Sequence, residues 1–454
     1  MIPHMISHTQ NEDLMRVLEM EEIREVVFGM DGESAAGLDD FTGKFFTFAW
    51  EVVAEDVCEA VVSFFCGQEL PKSFMATWVV LIPKVSSPQE FSQFRPISLC
   101  NFLNKVISKI LANRLAKVLP NIISPQQSGF VQGRQIFDNV LLAQELIAGI
   151  RKASREGNVV LKIDMAKAYD RVSWPFLIQV LRRFGFCEVW IEIIWRLISN
   201  VWFSVVVNGA PQGFFKSSRG IRQEDPLSPG LFVLRAEVLS RHLNSLSGRQ
   251  GFIPFRVPMG CPIITHLAYA NDIIIFSRGM KKSLQLVMQV LENYTSISGQ
   301  KVNHQKSGFL SHASLSDLRK CIVAQVTGFR FQSFPVTYLG CPLYSGRRRK
   351  SYFSAICTSV ASRVLSWKER LLSSGGRLVL VWSVLASMPI HILAASNPPR
   401  GVFVMLEQIF ADFLWGSSEV GPQFTGLSGV SYVSLMRREV WAFGLCNMCL
   451  MPFL

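Results

Sequence analysis

Apolar residues recur at helical spacing near the start of the chain. Leu14, Val17, Leu18, Ile23, Val26 and Val27 predict one amphipathic helix over Asn11 to Phe28, stopped by Gly29. A second helix is predicted over Phe41 to Cys66, ended by Gly67. The β-branched run from Thr77 to Pro83 predicts a strand, and the Ser-, Pro- and Gln-rich stretch up to Pro96 a loop. Asn101 to Leu119 reads as a helix carrying Lys105, Lys109, Arg114 and Lys117. Val159 to Asp164 is a buried strand that ends in a carboxylate. Phe203 to Asn208 is another strand, with Asn208-Gly209 as its hairpin signal. Two short strands, Thr265 to Tyr269 and Ile273 to Phe276, flank Ala270, Asn271 and Asp272. Helices follow over Ser283 to Ile297, closed by Ser298-Gly299, and over Ser314 to Val326. Beyond Gly346 the pattern turns helical and basic, from Arg347-Arg348-Arg349-Lys350. Helices, then strands interleaved with helices, then helices again predict an α+β fold with a central antiparallel sheet.

Composition refines this picture. The 454 residues are 49% apolar, enough for a large core and for two or three domain-sized units. The formal net charge is +12, which favours polyanionic partners. Cysteines such as Cys58, Cys66, Cys100 and Cys357 sit in apolar runs, as reduced, buried thiols of an intracellular protein do. Cys446 and Cys449 form a single Cys-x-x-Cys with no second pair, which we read as chance. The N-terminus has no apolar leader segment. The apolar run from Leu378 to Ala395 approaches a membrane span in length, but Pro389, His391, Ser383 and Ser387 interrupt it. It is expected to be a buried helix, with no membrane partner.

Three places put carboxylates at strand ends or tight turns: Asp164, the turn Asn271-Asp272, and Glu224-Asp225. Taken singly, each has a bland reading as a cap, a hairpin turn or an ordinary loop. Together, a strand-end Asp facing an acidic hairpin can hold Mg²⁺, which prefers hard oxygen donors completed by phosphate and water. Two such ions about 4 Å apart can activate a hydroxyl and stabilise leaving pyrophosphate.

The ordered motifs go further. Phe94-Arg95-Pro96-Ile97-Ser98-Leu99, Gln126-Gln127-Ser128-Gly129-Phe130 with Gly133-Arg134, and Lys162 to Asp170 are followed by Gln223 to Pro229 and Tyr269-Ala270-Asn271-Asp272. Ser298-Gly299, Lys301-Val302-Asn303, Lys306-Ser307 and Tyr338-Leu339-Gly340 complete the series. In this order they resemble the reverse transcriptases of LINE-type (non-LTR) retrotransposons, in a plant-like variant, over roughly residues 30 to 415. The resemblance implies a right-hand polymerase: fingers, a palm with an antiparallel sheet, and a helical thumb. It implies an RNA-directed DNA polymerase working with RNA template, DNA primer and dNTPs through a two-metal Mg²⁺ site. By the same resemblance Asp164 and Asp272 bind metal, Tyr169 floors the sugar pocket and Gln223 meets the incoming nucleotide. Lys84 and Arg95 meet its triphosphate. Lys306 is a proton donor to pyrophosphate or simply a solvated lysine. Asp170 is structural. The implied division is 1–66 helical extension, 67–158 fingers, 159–345 palm with inserted fingers elements, 346–415 thumb and 416–454 an eroded tail. Nuclear action is implied only by the family's life cycle, and the oligomeric state is open.

The sequence departs from the family pattern at telling places. Asn271 stands where the family has its first hairpin Asp, which costs the site one negative charge. Glu224 replaces a Gly, and Ala36, Leu38 and Asp40 replace Pro, Pro and Gly in the loop Ala35 to Phe41. Asp to Asn, Gly to Glu, Gly to Asp and Pro to Leu each need one C→T or G→A change, the expected signature of a decaying copy; Ala36 does not fit it. The expected activity is therefore impaired. The alternatives are a non-catalytic nucleic-acid-binding remnant and a non-functional relic.

Overall fold

The apolar run that begins at Ala76 becomes the spine of one sheet, and the run that ends at Asp164 the spine of another. The computed structural model describes residues 2–151, 156–258, 260–367 and 372–415. Its strands are β1 Ala76–Pro83, β2 Phe94–Cys100, β3 Asn158–Asp164, β4 Trp202–Val207, β5 Ala210–Lys216, β6 His266–Tyr269, β7 Asp272–Arg278, β8 Gly308–Ser311, β9 Arg330–Phe331, β10 Val336–Tyr338 and β11 Cys341–Leu343. The four-stranded sheet runs β2-β1-β4-β5 and the five-stranded sheet β6-β7-β3-β8-β9, with β10 and β11 as a separate hairpin.

Both faces of the five-stranded sheet are covered, which explains why β3 is apolar without alternation. Val159, Leu161 and Ile163 enter one core, shared with the helices Trp174–Phe184 and Ser228–Ser245. Val160 enters a second, with Ile274, Phe276 and the helix Ile136–Ala148. A third core, from Tyr344 to Phe413, belongs to the C-terminal helices alone.

Several expectations are corrected. The predicted first helix is two, His8–Leu14 and Met20–Gly29. Between them the chain turns so that Arg16 pairs with Glu22 at 3.1 Å, leaving Val17 82% exposed. The second predicted helix breaks at Ala49 into Gly43–Phe48 and Trp50–Phe65. The loop up to Pro96 ends earlier, because Phe94 to Cys100 pair antiparallel with β1. Cys66 is exposed, unlike Cys58, Cys100 and Cys357. The run from Leu378 to Ala395 is not one buried helix. Ser374–Leu380 passes into a π-helical turn and then, after a 45° bend, into Ile390–Ser396, with Trp382 48% exposed. Pro389, which lacks an N–H, sits at that break. No single helix among the described residues is long and apolar enough to cross a membrane; this bent pair passes by length and composition. Residues 416–454, with Cys446 and Cys449, lie outside the described residues.

Candidate active site

Asp164 ends β3 and Asp272 begins β7, and the antiparallel register sets the two residues directly opposite. A two-residue turn, Ala270-Asn271, closes the β6–β7 hairpin, in which Tyr269 pairs with Asp272. Ala270 takes the left-handed conformation (φ 52°) that such a turn demands. Both carboxylates are half-buried. Burial pushes the Asp272 carboxyl above its ordinary range and the Asp164 charge adds to this, while Lys162 and Lys306 pull it back. Lys306 is thus close enough to act on Asp272, although its side chain is exposed. Ser307 Oγ bonds the Asp164 amide at 3.0 Å, and Asn303 N–H donates to the Asp164 carbonyl at 2.8 Å. The segment 303–307 therefore holds the end of β3 in place.

The hairpin is held from its other side by residues to which the sequence reading assigned no role. The segment Gln126-Gln127-Ser128 runs beside β6, with Ala268 N–H donating to Gln126 O at 2.8 Å and Ser128 N–H to Ala268 O at 3.0 Å. Gln127 is 2% exposed, and its Oε1 accepts from the amides of both Gly129 and Ala270 at 2.9 Å. A side chain on Gly129 would come within 2.6 Å of Ala270 N, so only glycine lets this loop lie against the turn. Arg134 anchors the same loop by donating to the carbonyls of Ile123, Ser124 and Gln127. The block Gln126 to Phe130 carried this signal in its resemblance, but its function is visible only in three dimensions.

Tyr169 stacks on Phe232 with ring centroids 4.9 Å apart and planes 10° from parallel. Its hydroxyl pKa is pushed up to about 12, chiefly by burial; Arg235 opposes the shift and Glu224 adds to it. Glu224 therefore lies near the Tyr169 ring. It is exposed and held at φ 70°, the left-handed geometry that the family's glycine adopts freely. Asp40, the other residue standing for a glycine, has φ 55°. Gln223 donates to Asp170 at 3.3 Å.

Not every candidate joins the site. Asp225 is buried, pairs with Arg222 at 2.9 Å and accepts from Ser108 Oγ at 2.8 Å. It is a structural carboxylate beneath the loop, and the third candidate cation position is corrected accordingly. Lys84 and Arg95 stand exposed on the β1–β2 hairpin, and Lys84 donates to Ser92 O at 3.2 Å. Tyr338 is buried within electrostatic reach of Asp272, and Lys162 donates to Thr337 O at 2.7 Å, which ties the β10–β11 hairpin to the carboxylate end of the sheet.

The donors available to a cation are two carboxylates and the Asn271 amide, all hard oxygens that suit Mg²⁺. Among the described residues no cluster of three or more His, Cys, Asp or Glu side chains could hold a metal.

A family model described as reverse transcriptase (RNA-dependent DNA polymerase) matches residues 82–343. The transposon TX1 149 kDa uncharacterized protein of Xenopus laevis is 27% identical over 418 residues, which are 90% of this chain and 31% of that protein. The Pol polyprotein from the type-2 retrotransposable element R2DM of Drosophila melanogaster is 28% identical over 264 residues, 58% of this chain and 24% of that one. The chain thus spans less than a third of these relatives' length. Apo telomerase from Candida tropicalis is similar with a TM-score of 0.45 at 15% identity, over 90% of this chain and 72% of that one. The match to the family model covers more than half of the chain, and with it this chain belongs to the reverse transcriptase (RNA-dependent DNA polymerase) family.

Proposed function

We propose that this chain is built to extend a DNA primer on an RNA template and that Asn271 holds it far below full activity. Reverse transcriptases as a family bind an RNA template and a primer and use Mg²⁺. The observation that carries the proposal is the register that sets Asp164 opposite Asp272, beside a hairpin turn that bears Asn271. Asp164 and Asp272, with the Asn271 amide, would hold the divalent ions, which when bound activate the primer 3′-hydroxyl and neutralise charge on the triphosphate. Tyr169, rigid on Phe232, would exclude a ribose 2′-hydroxyl and so select dNTPs. Gln223 would contact the nucleotide, and Lys84 and Arg95, exposed on the β1–β2 hairpin, its triphosphate. Lys306 would protonate the leaving pyrophosphate. The proposed division places residues 67–158 and the inserted β4–β5 hairpin in the fingers, the five-stranded sheet in the palm and 346–415 in the thumb; the setting would be the nucleus.

The missing charge is costly. Losing about 4 kcal/mol of transition-state stabilisation slows a reaction roughly a thousandfold. A second reading, a folded but non-catalytic binder of nucleic acid, is favoured by Asn271. A third, a poorly folding relic, is favoured by Glu224 and Asp40, both held at positive φ where the family pattern has glycine. The test is Mg²⁺-dependent dNTP incorporation on an RNA template, comparing the chain with Asn271→Asp. We expect the reversion to raise the rate at least a hundredfold, on the order of one metal-ligand charge. Equal rates, both high, would reject Asn271 as the lesion. No activity in either, with template–primer still bound, would support the non-catalytic binder.

A further inference from the structure

We propose that the sheet face carrying Arg95 continues, at its far edge, into a stacking platform for single-stranded RNA: the unpaired template strand before it reaches the carboxylates. This inference rests on the polymerase reading above. The registers Ile82↔Arg95, Val80↔Ile97, Trp78↔Leu99, Trp78↔Ser204 and Trp202↔Lys216 place Arg95, Ile97, Trp78, Trp202 and Lys216 on one face. From β2 to β5 is three strand spacings, about 14 Å.

At the far edge a bulge reshapes the strand. Phe203 pairs with Phe215 and Val205 with Gln212, so Gly213 and Phe214 together oppose Ser204, and Gly213 takes φ 70°. The bulge brings Phe214 onto Trp202, with centroids 4.9 Å apart and planes 12° from parallel. Lys72 Nζ lies 4.8 Å and Lys216 Nζ 6.0 Å from the Trp202 ring centroid. Both lysines are exposed, and Phe214 remains 55% exposed. The opposite face is committed elsewhere: Phe203, Val205 and Phe215 line a cavity of about 220 Å³ together with Gln223 and Asp170.

Single-stranded nucleic acid presents both chemistries that this patch answers. A base of any identity stacks on an open ring, and its phosphates pair with flanking ammonium groups. A sequence-tolerant contact of this kind suits a strand that must slide past. A purely apolar partner would leave the two lysines against Trp202 without a counter-charge.

The experiment measures binding of an RNA template–DNA primer hybrid by anisotropy, with a template overhang of one nucleotide or of about eight. The parent, Phe214→Ala and Lys216→Gln are compared. Phe214→Ala is expected to weaken the long-overhang complex roughly tenfold and leave the short one unchanged. Lys216→Gln is expected to lower the slope of log affinity on log salt by about 0.7, again only with the long overhang. Unchanged affinity, or equal loss on both overhangs, overturns the platform. So does self-association of the parent that Phe214→Ala abolishes while RNA binding stays the same, since a second copy would then be the occupant. If Phe214→Ala fails to fold, the Lys216→Gln arm decides alone. Overhang-dependent binding in a chain that stays inactive with Asn271→Asp sinks the polymerase reading and leaves the platform standing.

Discussion

Glu224 combines two faults in one side chain. It occupies a left-handed backbone position, which costs an L-residue about 1–2 kcal/mol. Its carboxylate also acts on Tyr169, where a nucleotide sugar and triphosphate are proposed to lie. Glu224→Gly should therefore raise the free energy of unfolding by about 1 kcal/mol, read as a higher urea midpoint at unchanged slope. In the Asn271→Asp background it should also lower the KM for dNTP, because a like charge leaves the site. A lower midpoint would show that the glutamate makes compensating contacts and would reject the strain argument. Asp40 is a milder case, since Asp tolerates the left-handed region better than Glu. Asn271, by contrast, does not take the left-handed conformation; the fault proposed for it is chemical and not conformational.

At the scale of elements, the β6–β7 hairpin depends on a neighbour distant in sequence. The Gln127 side chain accepts two amide protons that β6 and β7 cannot satisfy. Gln127→Ala leaves both donors buried without an acceptor, at about 1–3 kcal/mol each. The expected result is a lower unfolding midpoint and faster hydrogen exchange at the Ala270 amide, with Gln127→Glu retaining an acceptor and losing less. Ala270 protection that survives Gln127→Ala would show that the hairpin holds itself. The same logic explains why β3 can end in an acid: Ser307 and Asn303 hold its last residue from the side of β8. Rigid strand ends with clamped turns are the usual means of holding reacting groups to a fraction of an ångström.

At the scale of the whole molecule, the two faces of the five-stranded sheet make its interior sensitive to buried charge. His266, 1% exposed on β6, has its pKa lowered to about 3 by burial. In the unfolded chain it titrates near 6.5. Below that pH the unfolded state binds a proton that the native state refuses, so stability falls as pH drops from about 6.5 towards 3. The slope is about 1.4 kcal/mol per pH unit, or about 2 kcal/mol between pH 6.5 and pH 5. His266→Gln should lose less stability than the parent over that interval, measured as urea midpoints at both pH values. Equal losses would mean that other groups carry the acid sensitivity. The separate core from Tyr344 to Phe413 adjoins the β10–β11 hairpin through contacts such as His391 Nε2 with Leu339 O at 2.8 Å.

Much of this was written locally. The hairpin at Asn208-Gly209 forms with both residues left-handed (φ 50° and 80°), because that dipeptide favours the turn matching strand twist. Gly299 ends its helix at φ 75° for the same steric reason. The strand into Asp164 was legible because both its faces are buried, and the ordered motifs named the family. The bend before Ile390 was signalled by Pro389, but the break at Ala49 and the strand from Phe94 were not legible, since tertiary packing overrides local period over a few residues. Pairings between distant segments were beyond reach altogether. Nothing near Asp225 announces that Ser108 will bond it, and nothing near Gln127 announces Ala270. Local sequence dictates period, turn and cap, because those depend on neighbours a few residues away. Which acid faces another acid, and which glutamine steadies the turn between them, depends on strand register and on the loop packed against it, which exist only once the chain has folded.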